Sequence, residues 1–198
     1  IRGLVAGGAD LIFIETQFDL AEARAAVTAA RQVCDLPVMV SMTFEQGVSL
    51  TGSSPTIFAE TMQNMGVAAL GTNCSLGPDQ MLPVVEELLS VCSCPVVAEP
   101  NAGLPELRGS ETVFPLGPEA FAARRARVLG GCCGTTPQHL AALRQALESV
   151  TCDERPVSPS GICLTSRSQL LRLGEGQPFS VIGERINPTG KKELTRQL

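Results

Sequence analysis

The sequence predicts an α/β fold, and three observations carry that prediction. Hydrophobic residues make up 44% of the 198 residues but aromatics only 4%, with no Trp or Tyr. The apolar content is therefore Ala, Val and Leu, the composition of helices packed on buried parallel strands. Short apolar runs alternate with amphipathic stretches at the spacing of βα units. Polar or reactive residues also recur wherever a predicted strand ends: Glu15-Thr16, Ser41 to Thr43, Asn73-Cys74, Glu99 to Asn101 and Cys132-Cys133. In a (β/α)8 TIM barrel those strand ends converge on one face, where active sites form. An open doubly wound sheet spreads them out and brings only a few together. Recurrent strand-end chemistry favours the barrel, of which this chain is expected to supply about the last five βα units.

The elements follow in order. "DLIFIET" (10–16) reads as a strand and "DLAEARAAVTAARQVC" (19–34) as an amphipathic helix. "LPVMVSMTF" (36–44) is a second strand, and "EQGVSLTGSS" a Gly/Ser-rich loop. "PTIFAETMQNMG" (55–66) has Pro in its first turn and Gly at its stop, the marks of a helix. "VAALGTNC" (67–74) is a third strand, "GPDQMLPVVEELLSVC" (77–92) a helix and "CPVVAEPNAG" (94–103) a fourth strand. A long loop and a short helix from about Pro118 lead to a fifth strand, "RVLGG" (127–131), and the helix "TPQHLAALRQALESV" (136–150). From about Cys152 the texture turns to Pro, Ser and charge. Residues 151–178 are thus expected to be a linker after a first domain at 1–150, and 179–198 to open a second domain with one strand.

Net charge is −5, with no basic stripe, so nucleic acid is not an expected partner. No apolar run approaches the ~18 residues of a membrane span, and no signal peptide opens the chain. The eight cysteines are scattered and lack the context of a disulfide framework, so a reduced, cytoplasmic protein is expected.

Adjacent cysteines in "RVLGGCCGTTP" are poor disulfide partners, because bridging neighbours closes a strained ring. Two thiols at a strand end before a flexible turn suit a metal better. On a barrel, Cys74 reaches the same rim as Cys132 and Cys133, and three thiolates with one open position are the pattern of a catalytic zinc site. The ordinary alternative is that each is a small buried hydrophobe, the role expected for Cys34, Cys92 and Cys94 at the opposite rim. Cys152 and Cys163 fall in the linker. His139, the single histidine, lies in the first turn of a helix, where an exposed or capping role is usual. Thr135 and Thr136 read as caps of that helix, and Ser41 and Thr43 as rim residues without a distinctive role.

Together, "GGCCGTTPQH", "GTNCSLGPDQ", "DLIFIETQFD" and "AEPNAGLP" resemble the zinc-dependent homocysteine S-methyltransferase domain, over about residues 1–150. More narrowly, they are similar to the N-terminal module of the cobalamin-dependent methionine synthases. "VIGERINPTGKK" resembles the opening of the pterin (folate)-binding domain that follows in that family. The resemblance implies that Cys74, Cys132 and Cys133 bind Zn2+ and that homocysteine sulfur takes the open position. A thiol becomes a nucleophile as its thiolate, and zinc removes the proton at neutral pH. It implies further that Glu15 holds the substrate ammonium, with Asn73, Glu99 and Asn101 as substrate-binding residues, and that Glu184 and Asn187, beside Arg185, belong to a pterin site. The product would be methionine and the donor methylcobalamin, carried with methyltetrahydrofolate by modules outside this chain.

Two departures from the family pattern are expected to matter. The first strands of the barrel are absent, with the Asp-Gly loop that they carry. "GPEAFAARRARVLGGCC" also leaves barely enough residues for a parallel crossover, which implies a deletion and a shifted or strained last strand. The competing readings are a homocysteine methyltransferase with another donor, and an incomplete barrel that binds zinc without turnover.

Overall fold

The computed structural model describes residues 1–117, 128–148 and 161–181. A short helix α1 (Arg2–Ala6) precedes the alternation β1 (Ile12–Gln17), α2 (Leu20–Val33), β2 (Val38–Met42), α3 (Pro55–Asn64), β3 (Ala69–Asn73), α4 (Pro78–Val91) and β4 (Val96–Glu99). A hairpin of β5 (Glu106–Arg108) and β6 (Glu111–Val113) follows, then β7 (Val128–Leu129), α5 (Pro137–Leu147) and a second hairpin, β8 (Ile162–Thr165) with β9 (Leu170–Leu173).

Capping chemistry sets the helix starts. Asp19 Oδ1 accepts from the backbone N–H of Ala21 at 2.8 Å and of Glu22 at 3.1 Å. Those bonds hold its carboxyl below the ordinary carboxylate range, led by the one from Glu22. Ser54 caps α3 by accepting from Ile57 N at 3.2 Å, ahead of Pro55. Pro78 and Pro137 occupy the same first-turn place in α4 and α5, where a missing N–H costs nothing. Each amphipathic helix then lays a stripe on the sheet; in α2 it is Leu20, Ala23, Val27 and Ala30, at helical spacing.

The central sheet is parallel and five-stranded, in the order β1-β2-β3-β4-β7. Its register sets Ser41 beside Gly71, and Asn73 beside Glu99. Gly71 is required there, because a Cβ would lie 2.0 Å from Val97 O. Val38, Val40, Leu70, Val96 and Val97 are fully buried, as befits strands covered on both faces. Phe58 of α3 meets Phe44 edge to face at 5.9 Å.

Several expected elements come out shorter. The fourth strand stops at Glu99, since Pro100 has no N–H for a ladder, and among the described residues the fifth spans Val128–Leu129. The loop after residue 103 contains the β5–β6 hairpin, and the short helix expected from Pro118 lies outside the described residues. Part of the stretch read as linker is ordered: β8 and β9 pair antiparallel. Their inner face, Cys163, Thr165, Leu170 and Arg172, turns toward α3. Arg172 pairs there with the buried carboxylate of Glu60, Thr165 Oγ1 meets Thr61 Oγ1 at 2.7 Å, and Ser53 Oγ donates to Arg167 O at 2.6 Å. Among the described residues, no helix is long and apolar enough to cross a membrane.

Candidate metal centre

Cys74 follows the last residue of β3 and adopts φ 60°, with Ser75 at φ 59°. Two consecutive non-glycine residues in the left-handed region are costly and turn the chain sharply out of the sheet. The Cys74 N–H still donates to Glu99 O at 3.0 Å, so the β3–β4 ladder extends by one bond to fix this corner.

The other two thiols arrive on the extension of β7. Gly130 N donates to Ala98 O at 3.0 Å, Cys132 N to Pro100 O at 2.9 Å, and Ala102 N to Cys133 O at 2.9 Å. Asn101 Oδ1 accepts from Cys133 N at 3.0 Å, and Thr135 Oγ1 donates to Cys132 O at 2.7 Å. Thr135 thus closes the cysteine turn, while Thr136 caps α5. His139 is buried, which corrects the exposed alternative. Its Nδ1 accepts from Thr136 N at 3.1 Å, and its other ring nitrogen bonds Leu116 O at 3.0 Å. The glycines of this segment are explained by close approach. A Cβ on Gly130 would sit 2.9 Å from Glu99 Oε1, and one on Gly131 2.5 Å from Thr135 Cγ2. Gly134 combines φ 77° with the Phe114 ring, which a Cβ would meet at 2.2 Å.

The result is a cluster of sulfurs. Cys74 Sγ lies 3.7 Å from Cys133 Sγ, and Cys132 Sγ lies 3.9 Å from Cys133 Sγ, with all three within 4.8 Å of one another. Two sulfurs bound ~2.3 Å from one ion at the tetrahedral angle stand ~3.8 Å apart, so the spacing suits zinc. A disulfide, at ~2.05 Å, it is not. Cys133 is exposed and the other two are half-buried, so one side of the cluster opens to solvent. Burial, with the neighbouring Cys74, pushes the Cys132 thiol up to about 12, and burial raises Cys133 too. Both thiols thus resist ionisation; a divalent cation reverses that. The donor set therefore fits zinc.

Around it, Asn73 is fully buried. Its Oδ1 accepts from Ser41 Oγ at 2.6 Å and Thr16 N at 3.2 Å. Its Nδ2 faces Thr16 Oγ1 at 2.6 Å, Glu15 Oε1 at 3.5 Å and Cys132 Sγ at 3.8 Å. Glu99 lies over Gly130; its Oε2 is buried and unpartnered among the described residues, and burial plus the Glu15 charge raise its carboxyl to about 7. Glu15, Asn73, Glu99 and Asn101 thus all stand at the cysteine rim, whereas Glu184 and Asn187 lie outside the described residues. Ser41, read as having no distinctive role, and Thr16, with φ 58°, prove to be part of the network. Their polar position at strand ends was the only available signal. Cys34, Cys92 and Cys94 lie at helix ends and a strand start, packed on the hydrophobic core.

The family model described as homocysteine S-methyltransferase matches residues 1–147. A methionine synthase of Mycobacterium tuberculosis is 34% identical over 206 residues, and one of Mycobacterium leprae 32% over 210. Each comparison covers 96% of this chain and 17% of the relative, so the chain spans about a sixth of those proteins. Among solved structures, the apo homocysteine methyltransferase MmuM from Escherichia coli shares the fold at a TM-score of 0.58. That match is 24% identical and covers 73% of this chain and 53% of the other. The family match takes in the parallel sheet, all three clustered cysteines and α5, and on it the chain belongs to the homocysteine S-methyltransferase family.

Proposed function

We propose that this chain carries the metal-binding and substrate-activating face of an enzyme that methylates homocysteine to methionine, with methylcobalamin as donor. The observation that carries the proposal is the trio of thiols at tetrahedral-ligand spacing on a solvent-facing rim. Cys74, Cys132 and Cys133 would hold zinc, which when bound lowers the pKa of a coordinated thiol and so makes the homocysteine sulfur nucleophilic at neutral pH. The substrate enters from the side of Cys133. The Glu15 carboxylate takes its ammonium group, and Glu99 adds a second carboxylate oxygen beside it. Asn101 holds the Cys133 backbone, so the two thiols of one turn keep their orientation. The substrate thiol gives up its proton to solvent, and the sulfur lone pair forms the new C–S bond as the methyl group leaves its donor.

The frame for this face is proposed to be the later part of a (β/α)8 barrel, with five parallel strands of the ring. In the proposed whole protein, cytoplasmic and several-fold longer, further modules carry methylcobalamin and methyltetrahydrofolate. Residues 179–198 then open the pterin-binding module, with Glu184 and Asn187 in its site.

Zinc content of the purified chain, under reducing conditions, tests the reading. About one zinc per chain is expected, lost on Cys74→Ala, and the zinc-loaded form should bind homocysteine. Well-folded protein that takes up no zinc refutes the metal-centre reading. Zinc without homocysteine binding or methionine formation leaves an incomplete barrel that only holds the metal.

A further inference from the structure

Asn73 poses a counting problem. A carboxamide nitrogen has two hydrogens, yet Nδ2 of Asn73 faces three acceptors: Thr16 Oγ1 at 2.6 Å, Glu15 Oε1 at 3.5 Å and Cys132 Sγ at 3.8 Å. The amide cannot turn over to escape this, because its oxygen is engaged by Ser41 Oγ at 2.6 Å and by Thr16 N at 3.2 Å. Both are donors, so the assignment of oxygen and nitrogen is fixed by the network. Asn73 is fully buried, so bulk solvent does not reach the amide to relieve the shortfall. The short bond to Thr16 commits one hydrogen. The second is left between a carboxylate and a sulfur.

We propose that Asn73 is a positioning residue whose second N–H is divided between Glu15 and Cys132, so that the metal centre senses whether the Glu15 carboxylate is engaged. This rests on the reading that the three cysteines hold a metal. When a cation such as a substrate ammonium takes up the Glu15 charge, the hydrogen passes to the sulfur. A hydrogen bond to a ligating sulfur withdraws electron density from it and tunes the metal, as outer-shell partners do. The two ends of an amino-acid substrate, one at the carboxylate and one at the metal, are thereby linked through a single amide.

Cobalt(II) reads this directly, since its thiolate charge-transfer band in the near ultraviolet moves to shorter wavelength when a sulfur gains a hydrogen bond. The chain as it stands is loaded with cobalt(II) alone, and its band is compared with those of variants. Glu15→Ala removes one competitor and is expected to shift the band to shorter wavelength. Asn73→Ala shifts it to longer wavelength, and adding Glu15→Ala to that variant changes nothing more. Because Asn73 is buried, a second background keeps the test decisive if Asn73→Ala does not fold. Thr16→Gly removes the hydroxyl acceptor at a residue whose φ of 58° suits glycine. It frees a hydrogen, so it moves the band as Glu15→Ala does, and the two changes together move it no further. A band that ignores Glu15→Ala overturns the proposal, as does a Glu15→Ala shift that survives in full in the Thr16→Gly background. Absence of any thiolate–cobalt band in the unaltered chain instead refutes the metal reading itself.

Discussion

Glu99 is the residue at which ionisation and folding are most tightly linked. Its carboxyl is raised from the ordinary 4.5 to about 7, first by burial and then by the charge of Glu15. A raised acid favours folding in its protonated form, so its contribution is full below 4.5 and is lost as pH rises through about 7. The metal-free chain should therefore lose stability between pH 5 and pH 8 through this group. Glu99→Gln, neutral at both, is expected to flatten that dependence and to raise the thermal midpoint at pH 8 by a few degrees. Thermal denaturation at the two pH values checks it; an unchanged slope would sink the account. Residues of this kind were half legible. The strand-end position marked Glu99 and Asn73 as rim residues, but the partners of Asn73 come from β1, β2 and the segment after β7, which only the folded sheet brings together. Nothing local in "FIETQ" announces a threonine at φ 58°.

At the scale of elements, the sequence was most legible where local chemistry and burial agree. α2 to α5 each carry a cap or an N-terminal proline; α2 and α4 bury one stripe, whereas α3 is buried on nearly every side from Ile57 to Met62. The β8–β9 hairpin was missed because the Pro, Ser and charge of the stretch just before it, and its own Ser/Arg turn, read as linker. Its signal was weaker and of period two: Ile162 and Leu164 fall on one face with Leu171 and Leu173, and the polar turn between them lies at 166–169. What fixes the hairpin is long-range. Arg172 neutralises Glu60, whose side chain is 4% exposed. Removing one partner of such a pair strands a charge, at ~3–5 kcal/mol when both are buried. Arg172 is partly exposed, so Arg172→Ala should cost about 2–3 kcal/mol. Urea denaturation measures that cost, and faster proteolysis between residues 161 and 173 shows where it falls. The double change Arg172→Met with Glu60→Met should recover most of it.

For the whole molecule, the chemistry of the rim sets how metal uptake depends on pH. Burial raises the Cys132 and Cys133 thiols, so they hold their protons near neutrality in the metal-free chain, and a thiolate ligand must lose its proton on binding. Zinc affinity should therefore climb with pH by up to ~10-fold per proton released, or ~1000-fold per pH unit at most. Competition with a chromogenic chelator across pH 6 to 8 measures the slope. A flat profile would mean that the sulfurs are not the ligands. The sheet that carries them ends in β1 on one side and the two-residue β7 on the other, each with a free edge among the described residues. Such edges invite pairing with further strands.

The hairpin clasped to α3 has a consequence for reach. A flexible tether lets its cargo wander through a volume that grows with its length, and dilutes the cargo accordingly. Here the chain is pinned at Arg172, so a body joined directly after Pro178, as proposed above, would follow within a few residues. Such a body would be held at high local concentration about α3, and its motion would be a swing about a fixed pivot rather than a free diffusion.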